Sequence, residues 1–331
     1  MRPEPFVIGI DLGGTNVRVA GVLPKGGSGV NRARILASMD RPIEAAQGPQ
    51  AGLEKIASLI EGVKAAVSGR PLAGIGIGST GPINRERGAI QNPYTLPGWE
   101  DVDIVQALAG RFDVPVTLEN DADAAALGES WVGAGQGMDR MAAVTVGTGI
   151  GVAFILNGQI YRGMDGIHGE AGHQVLDPHG PLCYCGAHGC WESLASGPAI
   201  ALFAQERARQ GSTQMIALAG GDLERITAVT VERAARMGDE AALAVLDQTA
   251  VYLGLGLVNL ILFYLPEGII FSGGVMRAFD LLEPGIRAVI ARHNSMVPAD
   301  RVKILLSSLG HQAGVFGAAR AILNQIESRV S

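Results

Sequence analysis

What the chain has little of narrows its function before any motif is read. Aromatic residues make up 5% and charged residues 18% of its 331 residues. Sparse aromatics disfavour a stacking platform for single-stranded nucleic acid. No Lys/Arg run offers a phosphate-neutralising face, and 26 basic against 32 acidic residues leave a net charge of −6. Neither a nucleic-acid partner nor an anionic membrane surface is therefore expected. Cysteine is confined to Cys183, Cys185 and Cys190. So crowded and odd-numbered a set makes a poor disulfide framework and a good set of metal ligands. The opening residues hold two prolines and an acid before a short apolar run, so no secretory leader is expected. The uncharged stretch Thr249–Leu265 is shorter than the ~20 residues of a membrane span. It is also broken by Gly254, Gly256 and Asn259, and it reads as a buried helix leading to a strand at Ile269–Ser272. The cytoplasm is the expected compartment.

Glycine is what the chain has in excess: 47 residues, with no collagen-like period. That points to many tight turns and close backbone approaches. With 47% apolar residues the chain can bury a sizeable core, in about two domains at ~150 residues each.

The patterning predicts strands at Phe6–Ile10 and Val17–Val22 around a glycine-rich bend, then a loop at Lys25–Gly29. A helix follows over Gln50–Val67, with Leu53, Ile56, Ala57, Ile60 and Val63 on one face. Next come a strand at Leu72–Gly78, a long loop over Ser79–Gly98, a helix at Ile104–Phe112 and a strand at Val114–Leu118. Glu119-Asn120-Asp121 then leads into an Ala-rich helix, Ala122–Trp131. Met141–Val146, the turn Gly147–Gly151 and Val152–Leu156 repeat the opening theme. Beyond a Gly/His/Cys-rich loop, Met164–Cys190, helical segments run to Leu265, and Gly310–Ile326 reads as a terminal helix. The repeated hairpin suggests two related α/β halves facing each other across a cleft.

A single bend such as Asp11-Leu12-Gly13-Gly14-Thr15 is as well explained by hairpin geometry as by ligand binding. The second bend, Gly147-Thr148-Gly149, shifts the balance. Both lack side chains that would block a ligand, expose backbone N–H groups and carry a Thr hydroxyl, as cradling a polyphosphate requires. Neither opens a helix and no Gly-x-x-x-x-Gly-Lys-Ser/Thr occurs, so neither common nucleotide fingerprint applies. Asp11 would hold Mg²⁺ beside the phosphates, directly or through water. Three thiolates and one imidazole make a closed tetrahedral zinc site of the structural kind. Spacing alone does not choose among His168, His173, His179 and His188. Asn120 or Asp121 suits a helix N-cap, while Asp121 also suits a general base at the strand-to-helix switch where α/β folds place ligands. Glu170 and Glu192, flanked by small residues, could converge on a polyhydroxylated ligand.

Taken together these motifs resemble the ROK family of sugar kinases and sugar-responsive repressors, within the actin-like ATPase superfamily. The resemblance rests on Asp11–Asn16, Glu119–Ala122, Gly147–Gly151, Gly169-Glu170-Ala171-Gly172-His173 and Cys183-x-Cys185-Gly186-x-x-Gly189-Cys190-x-Glu192. Pro266–Ile269, Gly273-Gly274 and Leu309–Gly314 extend it. Ser79–Pro82 and Ser272–Val275 depart from the family's Pro-Gly-Pro and triple-glycine habits. The resemblance implies two actin-like (ribonuclease H-like) α/β domains facing across a cleft. The first would cover 1–118 plus about 312–331, and the second 119–311 with a zinc loop at 165–192. It implies an ATP-dependent hexose kinase, most simply a glucokinase, with Asp121 as catalytic base. Asn120, Asp121, Glu170, His173, Glu192 and, in a looser match, Asn92 would bind the sugar. Asp11, Gly13, Gly14, Thr15, Gly147, Thr148, Gly149, Gly273 and Gly274 would meet ATP and Mg²⁺. His173, Cys183, Cys185 and Cys190 would hold a structural Zn²⁺. Other sugars (N-acetylglucosamine, N-acetylmannosamine, fructose, allose) remain open as substrates. Polyphosphate as donor is disfavoured, since family members that use it tend to lack the cysteine motif. A repressor role is not expected, because only five residues precede Phe6 and such members carry a helix-turn-helix there. A homodimer or homotetramer is the implied assembly.

Overall fold

The computed structural model describes residues 3–24, 33–164, 169–295 and 297–330. The expected loop at Lys25–Gly29, residues 165–168 of the expected zinc loop, and His168 lie outside the described residues. The chain opens with strands β1 (Phe6–Leu12), β2 (Asn16–Leu23) and β3 (Arg34–Pro42), helix α1 (Pro49–Ala66) and strand β4 (Leu72–Ser79). Two short strands, β5 (Ile83–Asn84) and β6 (Ala89–Ile90), precede α2 (Ile104–Phe112), β7 (Val116–Asn120) and α3 (Asp121–Val132). Then come β8 (Arg140–Val146), β9 (Ile150–Leu156), β10 (Gln159–Ile160), α4 (Trp191–Ala195), α5 (Gly197–Gln210), α6 (Gln214–Leu218) and α7 (Ala228–Arg236). The chain closes with α8 (Glu240–Tyr264), β11 (Gly268–Ser272), α9 (Phe279–Ala291), β12 (Lys303–Leu306) and α10 (Ala313–Val330).

Two five-stranded sheets result, ordered β3-β2-β1-β4-β7 and β10-β9-β8-β11-β12. Counted along their own segments, both run third, second, first, fourth, fifth, which is the duplication that the paired glycine-rich hairpins announce. In the first sheet β1 pairs antiparallel with β2 and parallel with β4, and β4 parallel with β7.

The chain divides into two compact units, 1–139 with 154–161 and 307–331, and 140–153 with 162–306. Residues 119–139, expected in the second domain, belong to the first unit. The reason is physical: β7 is the fifth strand of the first sheet, through Ser79↔Asn120, and α3 packs on α10.

Within the first unit β1 is buried on both faces, as a continuous apolar strand must be. Phe6, Ile8, Ile10 and Leu12 pack with Ile56, Ile60 and Val63 of α1 and with Trp99. Val7 on the opposite face packs with Phe316, Ala319 and Ile322 of α10. Helix α10 lies so close that a Cβ on Gly9 of β1 would stand 2.0 Å from Val315 O, and one on its register partner Gly76 1.8 Å from Ala318 O. Part of the glycine excess is thus backbone contact, beside the 13 glycines at positive φ among the described residues. Strand β3 carries no clean alternation and is missed by periodicity; as an edge strand it is mostly half-exposed, with no core face to write into the sequence. Strand β12 and helix α9 are likewise absent from the sequence reading, and β7 runs two residues later than expected.

In the second unit α8 begins nine residues before the uncharged stretch. By length and composition it could cross a membrane, yet 56% of its apolar window is buried. Its Gly256 leaves room for the fully buried Trp191 ring, to which a Cβ would come within 2.1 Å.

Candidate active site

In the first unit the parallel strands β1, β4 and β7 end in register, with Leu12 opposite Ser79 and Ser79 opposite Asn120. Asp11 therefore sits one residue before this edge and Asp121 one residue beyond it. Asn120 is the N-cap of α3, its Oδ1 accepting from Ala122 N at 2.9 Å, a contact worth about 0.5–2 kcal/mol. The capping role that either residue could have taken falls to Asn120. Asp121 stands in the first helical turn, its Oδ1 also accepting from Ala122 N at 2.8 Å. Burial pushes the Asp11 carboxyl above the usual carboxylate range; Arg18 opposes this, and the Asp121 and Asp40 carboxylates add to it. An acid whose charge is disfavoured by burial and by a neighbouring carboxylate makes a site suited to a cation.

The bend beside Asp11 is closed by Gly13 N donating to Asn16 O at 3.0 Å. Gly14 is pressed by the loop that follows β6, since a Cβ there would lie 2.6 Å from Thr95 O. Thr15 is exposed. Asn92, expected to touch sugar, is 1% exposed and committed to its own loop. Its Oδ1 accepts from Tyr94 N and Thr95 N, at 2.9 and 3.0 Å. Its Nδ2 lies 2.7 Å from Thr95 Oγ1 and 3.2 Å from both Thr80 O and Thr80 Oγ1. These bonds fold the loop around Asn92. Thr80, Thr95 and Arg85 were not anticipated from the sequence. Arg85 grips Glu119 through both carboxylate oxygens, at 3.0 and 2.9 Å.

The second unit holds the other bend. Gly147 N donates to Gly149 O at 2.9 Å, and Gly197 N at the start of α5 donates to Gly147 O at 2.8 Å. Glu192 fastens the turn from below: its Oε2 accepts from Ile150 N at 2.7 Å and would lie 2.3 Å from a Cβ on Gly149. Thr148 is exposed. Gly273, with φ of 96°, brings the other glycine pair against the same strand end, where a Cβ would meet Val146 O at 2.3 Å. Next to it Ser272, the departure from the triple-glycine habit, pairs its hydroxyl with Thr145 Oγ1 at 2.9 Å across β11 and β8.

His173, Cys183, Cys185 and Cys190 bring four ligand atoms within 4.8 Å of one another. His173 Nδ1 is 3.5 Å from Cys183 Sγ, and Cys185 Sγ is 3.5 Å from Cys190 Sγ. Tetrahedral zinc with ~2.3 Å Zn–S bonds places sulfurs about 3.8 Å apart, so the donor set fits that ion in number, chemistry and spacing. Turns preset it: Gly186 N donates to Cys183 O at 2.9 Å and Cys183 N to Ala187 O at 2.8 Å. Burial pushes the Cys190 thiol up to about 12, while a backbone hydrogen bond from Ala187 pulls Cys185 down. Among the other histidines, His188 bonds Gly180 O at 3.0 Å and His179 caps onto Asp177 through its backbone N–H.

Glu170 immediately precedes the short helix Ala171–His173 and is exposed. The unforeseen member of this group is Tyr184. Its hydroxyl is 3.0 Å from His173 Nε2, and its ring is edge-on to the imidazole at 5.1 Å. Loss of water around the hydroxyl, then the Glu192 carboxylate, push this phenol up to about 12.

A family model described as the ROK family matches residues 7–325. The chain is 35% identical over 324 residues to a glucokinase of Thermotoga maritima, covering 98% of this chain and 99% of that one. Among solved structures it resembles a ROK hexokinase from Thermus thermophilus, with a TM-score of 0.80 and 31% identity over 98% of this chain and 99% of that one. It also resembles a ROK family glucokinase from Streptomyces griseus in complex with glucose and AMPPNP. There the TM-score is 0.71 and the identity 31%, over 96% of this chain and 98% of that one. The family match covers nearly the whole chain, and the chain belongs to the ROK family.

Proposed function

We propose that the protein is an ATP-dependent hexose kinase, a glucokinase that passes the γ-phosphoryl group of ATP to the 6-hydroxyl of glucose. The observation that carries this reading is the strand edge where Asp11 and Asp121 stand one residue either side of the Leu12–Ser79–Asn120 row, beside a bend of two glycines. The glucokinases among its relatives support the choice of sugar.

A sugar hydroxyl is a poor acid, and phosphoryl transfer depends on alignment and charge neutralisation more than on a strong base. Asp121 accepts the hydroxyl proton late, as bond formation acidifies it. Asn120, Glu170, His173 and Glu192 hold the sugar's hydroxyls. The N–H groups of Gly13–Thr15 and Gly147–Gly149 meet the phosphates, and Gly273 and Gly274 lie beside the adenosine. Asp11 is the residue to hold Mg²⁺, whose charge would offset that of the phosphates. His173, Cys183, Cys185 and Cys190 would hold Zn²⁺, which supplies folding energy to a loop poor in aliphatic core. The enzyme is proposed to act in the cytoplasm as a homo-oligomer, with Val251, Leu262 and Phe263 on α8 as an exposed apolar face suited to a second copy.

A panel of hexoses and acetamido-hexoses with MgATP, read by ADP release, tests the reading. Glucose is expected to give the highest kcat/KM, and Asp121→Asn to keep glucose binding while lowering kcat about 10²–10⁴-fold. Near-normal turnover in that variant, or no turnover on any hexose, refutes it.

A further inference from the structure

Glu129, near the end of α3, is 3% exposed and lies outside the residues that would meet sugar or ATP. An acid so deep is costly unless its oxygens are fully bonded. Oε1 accepts from Ser307 Oγ at 2.6 Å and from Leu309 N at 3.0 Å. Oε2 accepts from Ala134 N at 2.8 Å, from Ser308 N at 3.3 Å and, at 3.5 Å, from Ser308 Oγ. Every partner is a donor, so the place suits a carboxylate, which accepts at both oxygens, and not an amide. Gly133 leaves room for it, since a Cβ there would stand 2.1 Å from Oε2.

The carboxylate thus ties the end of α3 to Ser307–Leu309, the segment between β12 and α10. Leu309 packs, half-buried, beside Phe316 and Ile322 of α10, but Ser307 and Ser308 bring no apolar side chain to the core. Helices α3 and α10 do little to fix their own register: they meet through Gly128 and Gly317, and residues without side chains form no interlocking ridges.

From this tie the path to Asp11 is short. Ser307 Oγ also accepts from Gly310 N at 3.3 Å, and Leu309 O accepts from Gln312 N at 3.0 Å. His311 O accepts from Arg18, the register partner of Asp11 on β2. Two residues past Gln312, a Cβ on Gly314 would lie 2.7 Å from Asp11 Cγ.

We propose that Glu129 is a positioning residue for phosphoryl transfer: by fixing Ser307–Leu309 it sets where α10 begins, and so where Gly314 lies against the Asp11 carboxylate. The proposal rests on the hexose-kinase reading above, with Asp11 as the residue for Mg²⁺.

Two variants test it. Glu129→Gln keeps the size of the side chain and turns an NH₂ group onto donors. Ser307→Ala removes one donor and leaves the other bonds to the carboxylate in place, so it decides the matter even if the first variant folds poorly. The kcat/KM for MgATP at saturating glucose is expected to fall about ten- to thirtyfold in Glu129→Gln and about three- to tenfold in Ser307→Ala, the latter the size of one net hydrogen bond. Both losses should come with a steeper Mg²⁺ dependence, while the glucose Kd by calorimetry stays close to wild type. Combined with Gly314→Ala, Ser307→Ala is expected to cost less than it does alone, because both act on one carboxylate. Losses that simply multiply in the double variant overturn the proposal and leave the kinase reading intact, as does a Ser307→Ala kcat/KM equal to wild type. Absence of hexose turnover by the wild type overturns both.

Discussion

Gly314, one residue into α10, separates catalysis from stability. A Cβ there would lie 2.7 Å from Asp11 Cγ and 2.9 and 3.0 Å from the two carboxylate oxygens. Carbon–carbon contacts settle at about 3.5–4.0 Å, so in Gly314→Ala the carboxylate must retreat by roughly 0.8–1.3 Å. The Asp11 backbone cannot supply that movement, being paired with Arg18 on one side and Gly78 on the other. The retreat falls on the side-chain torsions, at about 0.5–1.5 kcal/mol for an off-rotamer angle. Fold stability is therefore expected to change little. A Mg²⁺ ion, by contrast, demands near-octahedral oxygen ligands at about 2.0–2.1 Å, and a misplacement of about 1 Å can cost ~10²-fold in rate. Gly314→Ala is expected to lower kcat/KM for MgATP about ten- to hundredfold and to steepen its Mg²⁺ dependence. Glucose Kd by calorimetry and the denaturant midpoint should stay close to wild type. A kcat/KM for MgATP within twofold of wild type refutes the reasoning, as does a collapse in stability that accounts for the loss.

The raised Asp11 carboxyl carries a stability cost of known sign: its favourable contribution is complete below the ordinary carboxylate range and is lost as pH rises through the raised folded value. Asp11→Asn should therefore be inactive yet more stable than wild type at pH 7, with the gap closing in acid; equal stability across the titration counts against it. Gly76→Ala would set a Cβ 1.8 Å from Ala318 O and is expected to cost at least about 3 kcal/mol. Gly110→Ala, inside α2 with nothing within 4 Å, is expected to gain about 0.5–1 kcal/mol, and urea midpoints of the two should move in opposite directions. Stripping zinc with a chelator should release about one ion per chain, strip hydrogen-exchange protection from residues 169–190 and abolish glucose binding. Binding that survives complete removal argues against a folding role for the ion.

The elements read well from sequence where burial imposes a period or a turn imposes a residue. Helix α2 and the apolar face of α1 are legible because one side of each meets the core. Both glycine hairpins and the cysteine cluster are legible because their chemistry tolerates few residue types. The edge strand β3 is not, since half-exposed residues on both faces leave no alternation. Asn92 shows the limit for sites. Its bonds to Thr80 and Thr95 carry no mark in the sequence, because their approach depends on the folded loop. Tyr184 shows the converse. Nothing in the sequence marks a tyrosine between two cysteines as a partner of His173 until the fold brings its hydroxyl to Nε2.

The glycine excess connects fold to chemistry more directly than the two bends alone. Gly9 and Gly76 admit α10 from the sheet side, and Gly128 and Gly317 admit it from α3, with Cβ positions 2.3 Å from Ala313 O and 1.4 Å from Ala124 O. A larger residue at any of the four would lift the terminal helix off its bed. That helix carries Gly314 against the Asp11 carboxylate, so its depth sets the position of the acid at the strand edge. Close-packed interiors do not yield continuously to such a change. Helix α10 therefore works as the floor of the first strand's acidic end, and glycines far from that end set the depth at which the floor lies.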